Sequence, residues 1–532
     1  MARQGPSKGD DSLPGRVFAG VTHNGGVQEI ELKFGIAPDR LAAVRRAVLR
    51  PDTPALRLRA AYYDTPDCRL AAAGIALRLR HEGRAWVQTL KVGLDPMRRL
   101  EHNVPLVVPR GATAALDPAR HDGSAAGEAL RAALGKGESP TLEVRFATDV
   151  TRHVRVLRGR GATAGTTVEL ALDEGTVSAG GLSETLCELE IELLQGSPAG
   201  LIAMAANWAA RLGLWLDARP KSWRGDYLAR GQRYAPALKA TPPSLQAQTP
   251  VDQAARAVLR ACLDQVLANA SQIAAQPPVP GVVATHYGPE HVHQLRVGLR
   301  RLRSALRMFD GAGLLPEPVD ERLAGLLAPL SWARDRDVFE LEVLPQLQAA
   351  GAPPLSLPAT PAPSLPPEAA LRDPALTQLW LALLAAVQPP AVEAAAPEPW
   401  RDLVAQRLGR WHKRMRRTAR EHARLSDDQR HQLRKHAKRL RYVIEFSAPL
   451  WPAGKLARQL TALRALQESL GQWHDVCTVL ARFEAQVAHD PHAWFAVGWL
   501  RARREALLAQ AGHDLERWAE APVPWKKRDQ RR

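Results

Sequence analysis

Cysteine and long apolar runs are both scarce in this 532-residue sequence, and their scarcity excludes whole classes of protein. The four cysteines, Cys68, Cys187, Cys262 and Cys477, lie far apart and form no Cys-x-x-Cys pair, so no zinc or haem motif is recognisable. Isolated cysteines suit a reducing compartment, and we expect a cytoplasmic protein. No apolar stretch reaches the roughly 18–20 residues of a membrane span, and the N-terminus lacks the apolar core of a signal peptide. We therefore expect no membrane partner.

Lysine is the next shortage, because only 12 of the 72 basic residues are lysine and the other 60 are arginine. With 55 acidic residues, the formal net charge is 72 − 55 = +17. Arginine binds phosphate bidentately through its planar guanidinium group, so this composition favours a phosphate-rich partner. A GC-rich codon bias explains the arginine content equally well, and composition alone leaves both explanations open. The hydrophobic content of 45% is sufficient for buried cores and excludes global disorder.

The spacing of apolar residues changes near residue 231, which predicts an α+β protein with two main domains. Upstream, short runs alternate polar and apolar residues between turn signals and predict strands. Downstream, apolar residues recur every three or four positions and predict helices. The expected segments are a flexible extension over 1–26, a β-rich domain over 27–230, a linker over 231–250, a helical domain over 251–520 with a Pro-rich insertion at about 352–399, and a basic tail over 521–532.

Several of the predicted strands carry charged residues on one face only. In Glu29-Ile-Glu31-Leu-Lys33 the three charged side chains share a face, because side chains alternate along a strand. The same parity recurs in Glu188-Leu-Glu190-Ile-Glu192, Arg78-Leu-Arg80 and Arg57-Leu-Arg59. A solvent-facing surface explains any one of these strands. Together, acidic and basic rows in a closed sheet would hold hard divalent cations beside an anion, as a phosphoryl-transfer site requires.

These segments resemble the CYTH family, the triphosphate tunnel metalloenzymes. The run QEIELKF matches the ExExK signature of the family, and later segments match in order: YYDTP, ALRLR, QTLK, RLE, VELALDEG, ELEIEL and KSWRG. The resemblance covers residues 27–230 and implies an N-terminal eight-stranded antiparallel β tunnel with flanking helices. Members hydrolyse inorganic triphosphate or thiamine triphosphate, or cyclise ATP, with Mg²⁺ or Mn²⁺ as the cofactor.

The CYTH resemblance also implies roles for individual residues. The metal ligands would be Glu29, Glu31, Glu190 and Glu192, with Glu188 and Asp173 as further candidates. The triphosphate would be bound by Lys33, Arg78, Arg80, Lys91, Arg99, Arg152 and Lys221. Catalysis would rest on Glu29, Glu31 and Lys33, with Lys33 orienting or activating the attacking water. For Arg57 and Arg59, a position in the lumen and a position in solvent remain equally open.

The helical half contains one motif twice. The run HQLRVGLRRLR, which begins at His293, recurs as HQLRKHAKRLR at His431, an offset of 431 − 293 = 138 residues. Each copy places basic residues along one helical face with leucines behind them. A solvated face explains either stripe alone, whereas two duplicated stripes favour a polyanionic partner. The stripes contain no aromatic residues for base stacking and match no nucleic-acid module, which argues against nucleic acid.

The two copies resemble the signature helices of the CHAD family, an α-helical domain of two bundle repeats that binds inorganic polyphosphate. The resemblance covers about residues 250–520 and predicts a C-terminal all-α, duplicated helical bundle. It implies a polyphosphate groove formed by His293, Arg296, Arg300, Arg303, His431, Arg434, Lys438 and Arg441.

Taken together, the two resemblances predict a metal-dependent inorganic triphosphatase that hydrolyses tripolyphosphate and carries a polyphosphate-binding helical domain. One alternative is a non-catalytic protein associated with polyphosphate granules, whose tunnel binds phosphate chains without cleaving them. Another is a class IV-type adenylate cyclase, which ranks lower because nothing in the sequence selects adenine. The sequence carries no prediction of the oligomeric state.

Overall fold

A computed structural model gives the architecture of the chain. The structure describes residues 27–51, 53–109, 112–135, 140–232, 234–275, 287–310, 319–326, 330, 338–356, 365–390 and 399–525. The predicted extension over 1–26 and most of the predicted basic tail lie outside these residues.

The N-terminal half is a closed antiparallel barrel of eight strands. The strands are β1 (Val27–Gly35), β2 (Ala55–Asp64), β3 (Ile75–Glu82), β4 (Ala85–Gly93), β5 (Arg98–Leu106), β6 (Glu143–Arg158), β7 (Thr167–Ala179) and β8 (Leu182–Gln195). Their order around the barrel is β5-β4-β3-β2-β6-β7-β8-β1, and β1 closes the ring by pairing with β5 as well as β8. A two-residue strand, β9 (Trp215–Leu216), adds to the end of β1. The predicted α+β fold class, with its eight-stranded barrel, is confirmed.

The alternation of side chains along the strands sorts them between lumen and exterior. On β1, Leu32 and Phe34 face outward and are completely buried, while Glu29, Glu31 and Lys33 face inward. The outer apolar face packs beneath helix α4 (Pro198–Leu212). Burial of such side chains contributes roughly 1.5–3 kcal/mol each, so the pattern that fills the exterior core also commits the charged residues to the lumen.

The other helices of this half are α1 (Leu41–Val48), α2 (Arg69–Ala72), α3 (Ala125–Leu134) and α5 (Lys221–Ala229). Helix α4 begins after Ser197, whose hydroxyl accepts a hydrogen bond from the Gly200 amide, and it ends at Gly213 in the left-handed conformation (φ 67°). Helix α5 begins directly after Pro220, and its first residue, Lys221, lines the lumen.

The C-terminal half is helical throughout its described residues. Its helices are α6 (Val251–Ala274), α7 (Pro289–Met308), α8 (Val319–Gly325), α9 (Leu344–Ala349, after a π-helical turn at Phe339–Val343), α10 (Pro367–Leu371), α11 (Pro374–Ala386), α12 (Trp400–Ala419), α13 (Asp427–Phe446), α14 (Ala453–Gln486) and α15 (Ala493–Glu520). No helix of the described chain is long and apolar enough to cross a membrane.

The duplication seen in the sequence reappears in the helices α7 and α13. Each is 20 residues long, and both ends shift by the same 138 positions, from 289 to 427 and from 308 to 446. The two helices pack against each other, and Arg301 of α7 forms an ion pair with Glu445 of α13 at 3.1 Å. The guanidinium carbon of Arg301 also lies 4.7 Å from the ring centre of Phe446. The two repeats therefore meet along their basic helices.

Part of the predicted Pro-rich insertion forms the junction between the two halves. Residues 357–364 and 391–398 lie outside the described residues, but α11 between them is a largely buried helix. It packs against α4 of the barrel half, where the Gln378 side chain donates a hydrogen bond to the Ala206 carbonyl at 3.0 Å. Buried apolar residues of α4, α6 and α11 belong to one continuous core.

Candidate functional site

The barrel encloses a cavity of about 700 Å³ whose wall is dominated by charged side chains. All seven residues predicted to bind triphosphate are in or beside it, and most of the predicted metal ligands face it as well. Its charged lining includes Glu29, Lys33, Arg78, Arg80, Lys91, Arg99, Glu101, Arg152, Glu169, Asp173, Glu190, Glu192 and Lys221. Glu31 and Glu188 are buried immediately behind this lining and contact Arg99 and Lys221.

On β1, each carboxylate of the ExExK run has its own cation. Glu29 accepts a hydrogen bond from the Lys91 ammonium group at 2.7 Å, and Glu31 is paired with Arg99 and, at 3.3 Å, with Lys33. Burial raises the pKa of Glu29 to about 7 even with Lys91 beside it. Burial also opposes ionisation of Glu31, but Arg99 and Lys33 together lower its pKa to about 2. The two glutamates therefore differ in charge state at neutral pH, and Glu31 is the fully ionised one.

A second acidic group gathers around Lys221 of helix α5. The Lys221 ammonium nitrogen lies 2.7 Å from Asp173, 2.6 Å from Glu188 and 2.7 Å from Glu190. Arg152 binds Asp173 through two hydrogen bonds of 2.7 Å and also contacts Glu190. Burial opposes ionisation of Glu190, yet Lys221 and Arg152 hold its pKa well below the usual range. This group is electrostatically satisfied by protein cations.

Glu192 and Glu169 form the acidic part of the lumen that protein cations do not satisfy. Among the described residues, no Lys or Arg nitrogen lies within ion-pairing distance of either carboxylate. Burial, followed by repulsion from Glu29 and Glu31, raises the pKa of Glu192 to about 9. Burial raises the pKa of Glu169 as well. Crowded carboxylates of this kind favour a bound cation, because its charge relieves their mutual repulsion.

The residues present fit a hard divalent ion. Asp173, Glu188 and Glu190 each place a carboxylate oxygen within 4.8 Å of the others, which is the spacing of a shared metal site. Glu29, Glu31 and Glu192 add oxygen donors from β1 and β8, where Glu31 and Glu192 are register partners. Such all-oxygen donor sets suit Mg²⁺, Mn²⁺ or Ca²⁺ rather than softer metals.

The opposite wall of the cavity is basic. Arg78 donates a hydrogen bond to the Tyr62 hydroxyl at 3.0 Å, and Arg80 contacts Glu82. Burial and the neighbouring Arg78 lower the pKa of Arg80, so these guanidinium groups repel each other. An anion between them would relieve that repulsion, which makes this wall suited to phosphate oxygens.

The site includes charged residues that the sequence reasoning did not assign to it, among them two that line the cavity and one behind Glu188. Glu101 lies 3.3 Å from Lys91, Glu169 lines the cavity, and Arg224 of α5 lies 3.4 Å from Glu188. Strand parity could have identified Glu101 and Glu169, because Glu101 lies on the same face of β5 as Arg99, and Glu169 lies on the same face of β7 as Asp173. The open question on β2 is also answered, since Arg57 and Arg59 are exposed on the outer face and Arg57 pairs there with Asp149 at 2.7 Å.

In the helical half, four of the predicted groove residues converge from α7 and α13. The Lys438 ammonium group lies in the electrostatic field of Arg434, Arg300 and Arg296, with Asp475 as the opposing charge. Burial and these three guanidinium groups lower its pKa to about 6. A bound anion would relieve the repulsion within this crowded cationic group at the crossing of the duplicated helices.

The other predicted groove residues lie around this centre. The His431 ring centre lies 4.6 Å from that of His474, with the ring planes tilted by 39°, and burial lowers the pKa of both histidines. Arg303 pairs with Asp320 at 2.5 Å, and Arg441 lies 3.6 Å from Glu445. His293 lies on α7 one turn before Arg296. His474 lies on α14 rather than on either signature helix; the sequence offers His474-Asp475 as a repeated motif, which we interpreted as bracing helices and did not assign to the groove.

Fold and site together define a protein of two parts, an antiparallel tunnel with a charged lumen and an α-helical bundle with a cationic crossing. Comparison with protein families gives the same division. A CYTH domain matches residues 27–215 and a CHAD domain matches residues 257–484. The chain is therefore a CYTH domain followed by a CHAD domain.

Individual relatives match parts of the chain. An inorganic triphosphatase of Haemophilus influenzae is 28% identical over 215 residues, which cover 39% of this chain and 56% of that protein, so the match spans just over half of the relative's length. The crystal structure of the CHAD domain from the plant Ricinus communis is 26% identical and covers 54% of this chain and 98% of its own, with a TM-score of 0.41. A Pyrococcus horikoshii protein structure is 17% identical and covers 36% of this chain and 96% of its own, with a TM-score of 0.23.

Proposed function

We propose that the tunnel is the active site of a metal-dependent inorganic triphosphatase acting on tripolyphosphate. The observation that carries this proposal is the opposition of charges inside one closed cavity. Glu192 and Glu169, which form no ion pair with Lys or Arg in the part of the chain that the structure describes, face the same space as the crowded guanidinium groups of Arg78 and Arg80. Metal ions and phosphate oxygens are the pair of ligands that would satisfy both walls at once.

The side chains divide the work of hydrolysis. Arg78, Arg80 and Lys91 bind and align the phosphate chain, and Arg99, Arg152 and Lys221 hold the carboxylates in place while adding positive charge. Glu29, Glu31, Glu190 and Glu192 would hold a divalent ion, with Glu188 and Asp173 behind them. When bound, the ion supplies Lewis-acid stabilisation of the phosphoryl oxygens.

In this proposal Lys33 orients the attacking water. It is buried in the lumen, 3.3 Å from the ionised Glu31, so its ammonium group is fixed in direction. Water oxygen forms the new bond to a terminal phosphorus while the bridging P–O bond breaks, and the products are phosphate and diphosphate. The cationic wall stabilises the charge on the departing diphosphate.

The test is phosphate release from tripolyphosphate with Mg²⁺ or Mn²⁺. The full chain is compared with the double variant Glu29→Gln plus Glu31→Gln, and with Arg57→Ala as a control for a charge change outside the barrel. We expect metal-dependent release by the full chain and by the control, and loss of at least ~10²-fold in the double variant. If the full chain releases no more phosphate than the double variant, the proposed enzymatic activity is refuted.

We further propose that the cationic crossing of α7 and α13 binds inorganic polyphosphate. The crowding of Arg296, Arg300, Arg434 and Lys438 supports this, because a flexible anionic chain neutralises all four without requiring base contacts. Arg300→Ala with Arg434→Ala should weaken polyphosphate binding at physiological salt by more than roughly tenfold. Lys455→Ala with Arg458→Ala, two exposed cations on α14, removes the same charge elsewhere. Equal affinities for the two double variants would reject the groove.

A further inference from the structure

The tunnel cavity does not end at the barrel. Its wall continues onto Asp264 and Ala268 of helix α6 and onto Leu238, which precedes that helix. These residues lie across from Asp95 and Pro96, in the turn between β4 and β5. A substrate that passes this side of the cavity therefore meets atoms of the helical half.

Two polar contacts fix α6 and its neighbours to that turn. Arg260, one helical turn before Asp264, lies 3.0 Å from Asp95. Asp95 in turn accepts hydrogen bonds from the backbone amides of Met97 and Arg98 at 2.8 and 2.9 Å. The Arg98 guanidinium group donates to the side-chain oxygen of Gln388, beyond α11, at 2.6 Å. The next residue is Arg99, so the helical half holds the segment that delivers a lumen cation.

Asp264 stands out among these residues because its charge is poorly satisfied. One of its carboxylate oxygens, Oδ1, is buried without a hydrogen-bond partner among the described residues. Burial raises the pKa of Asp264 to about 7, with Asp95 reinforcing the shift and Arg260 opposing it. Arg260 comes from its own helix and Asp95 from the facing turn. The other cavity-lining residues named here, Leu238 of the linker and Pro96 of the β4–β5 turn, are uncharged.

We propose that α6 forms part of the substrate entrance of the tunnel and that Asp264 is a specificity-determining residue, which sets how readily a highly charged phosphate chain enters. This inference rests on the proposed function of the tunnel. An ionised Asp264 repels an incoming polyanion, whereas its neutral form does not. The helical half therefore contributes directly to substrate selection, by placing a carboxyl group in the path of the anion.

The test uses the full chain and tripolyphosphate, with two readouts between pH 5.5 and 8.5. One is steady-state hydrolysis, resolved into kcat and KM, and the other is calorimetric binding in chelator. Asp264→Asn is compared with Asp252→Asn, the same change twelve residues earlier on α6, where Asp252 pairs with Arg256 at 2.7 Å. Ala268→Glu adds a carboxylate at the same entrance and tests the opposite direction, should Asp264→Asn fold poorly.

We expect Asp264→Asn to match the control at pH 5.5 and to bind tripolyphosphate roughly fivefold more tightly at pH 8.5, with KM lowered and kcat unchanged. Ala268→Glu should weaken binding at both pH values. Comparison at equal pH cancels the titration of the substrate itself. If neither variant differs from the control while the full chain hydrolyses tripolyphosphate, the entrance is refuted and the proposed function stands. If the full chain binds tripolyphosphate without hydrolysing it, and the variants show the expected changes in affinity, the entrance is supported and the proposed hydrolytic function is refuted.

Discussion

The ammonium nitrogen of Lys221 lies 2.6 Å from a carboxylate oxygen of Glu188, which joins the first residue of helix α5 to the middle of β8. The same nitrogen contacts Asp173 and Glu190 at 2.7 Å. A single ammonium group thus contacts three buried carboxylates, which Arg152 and Arg224 also contact, and those three are spaced for a metal ion. Lysine and a divalent ion would therefore compete as cations for one acidic group.

Replacing Lys221 by methionine should remove one of the cations shared by three buried carboxylates and leave Arg152 and Arg224. We expect Lys221→Met to destabilise the metal-free protein by about 3–5 kcal/mol, because removal of one partner from a buried ion-pair cluster leaves excess buried negative charge. Millimolar Mn²⁺ should restore more stability to this variant than it adds to the wild type. Thermal unfolding with and without Mn²⁺ measures both effects. Lys239→Met, at an exposed lysine of the linker, is the control. A variant that Mn²⁺ does not rescue contradicts the shared site.

Glu192→Gln separates metal binding from folding. The neutral amide mimics the protonated acid, which is the predominant form at pH 7 because burial and the neighbouring glutamates raise the pKa to about 9. We therefore expect unchanged or slightly higher stability in chelator and a Mn²⁺ affinity reduced by roughly tenfold or more. Calorimetric Mn²⁺ titration and thermal unfolding are the measurements. Glu143→Gln, on a glutamate paired with Arg145 at 2.8 Å outside the lumen, should change neither. Marked destabilisation in chelator is the result that speaks against this account.

Replacement of two arginines on adjacent strands should affect KM differently, because the two side chains face opposite sides of the barrel. Arg80 of β3 lines the lumen, whereas Arg57 of β2 is exposed and pairs with Asp149. Arg80→Ala should raise KM for tripolyphosphate by roughly tenfold or more, since a charge-assisted contact to phosphate is lost. Arg57→Ala should leave KM within about twofold, as expected for an exposed ion pair. Similar KM values for both variants would show that the lumen does not bind the substrate.

The depressed pKa of Lys438 makes polyphosphate binding pH-dependent. With a pKa of about 6, the amine is largely neutral at pH 7.5 and charged below pH 6. A polyanion prefers the charged form, so binding at pH 7.5 should take up close to one proton at this site and affinity should rise as the pH falls. Calorimetry in buffers of different ionisation enthalpy measures the uptake. Lys438→Met should abolish most of it.

We expect Lys438 to favour polyphosphate binding while lowering the stability of the free protein. Since the folded pKa of Lys438, about 6, lies below that of an unfolded lysine, the unfolded chain binds the extra proton and stability falls as the pH falls from about 10 to about 6, with the full cost remaining below pH 6. Lys438→Met should therefore raise the melting temperature of the free protein at pH 7 while weakening polyphosphate binding. A variant that lost both stability and binding would indicate a packing role instead.

Much of the tunnel follows from parity along the strands. Glu29, Glu31 and Lys33 could be placed on one face because a strand repeats every two residues, and the burial of Leu32 and Phe34 on the other side agrees with that reasoning. Parity does not decide which face turns inward. For that reason Arg57 and Arg59 were indistinguishable from Arg78 and Arg80, although β2 presents its apolar Leu58 and Tyr62 to the cavity.

Contacts between distant elements could not be predicted from the sequence. The pairing of Lys221 with three acids depends on α5 folding back over the barrel, and the position of His474 depends on how α14 crosses α13. Neither arrangement follows from a local period in the sequence. The junction was missed for a related reason, because α11 lies between Pro-rich stretches that read as an insertion, while its apolar residues are needed to cover α4.

Closure of the barrel imposes an order on folding. Glu31 and Glu192 are register partners although their positions differ by 192 − 31 = 161, so β1, which can pair earlier with β5, lacks its β8 partner until the eighth strand has been made. During that interval its apolar face, with Leu32 and Phe34, is exposed and prone to association. Contacts this remote in sequence also slow folding. We expect the barrel to close only after β8 (Leu182–Gln195) has been made.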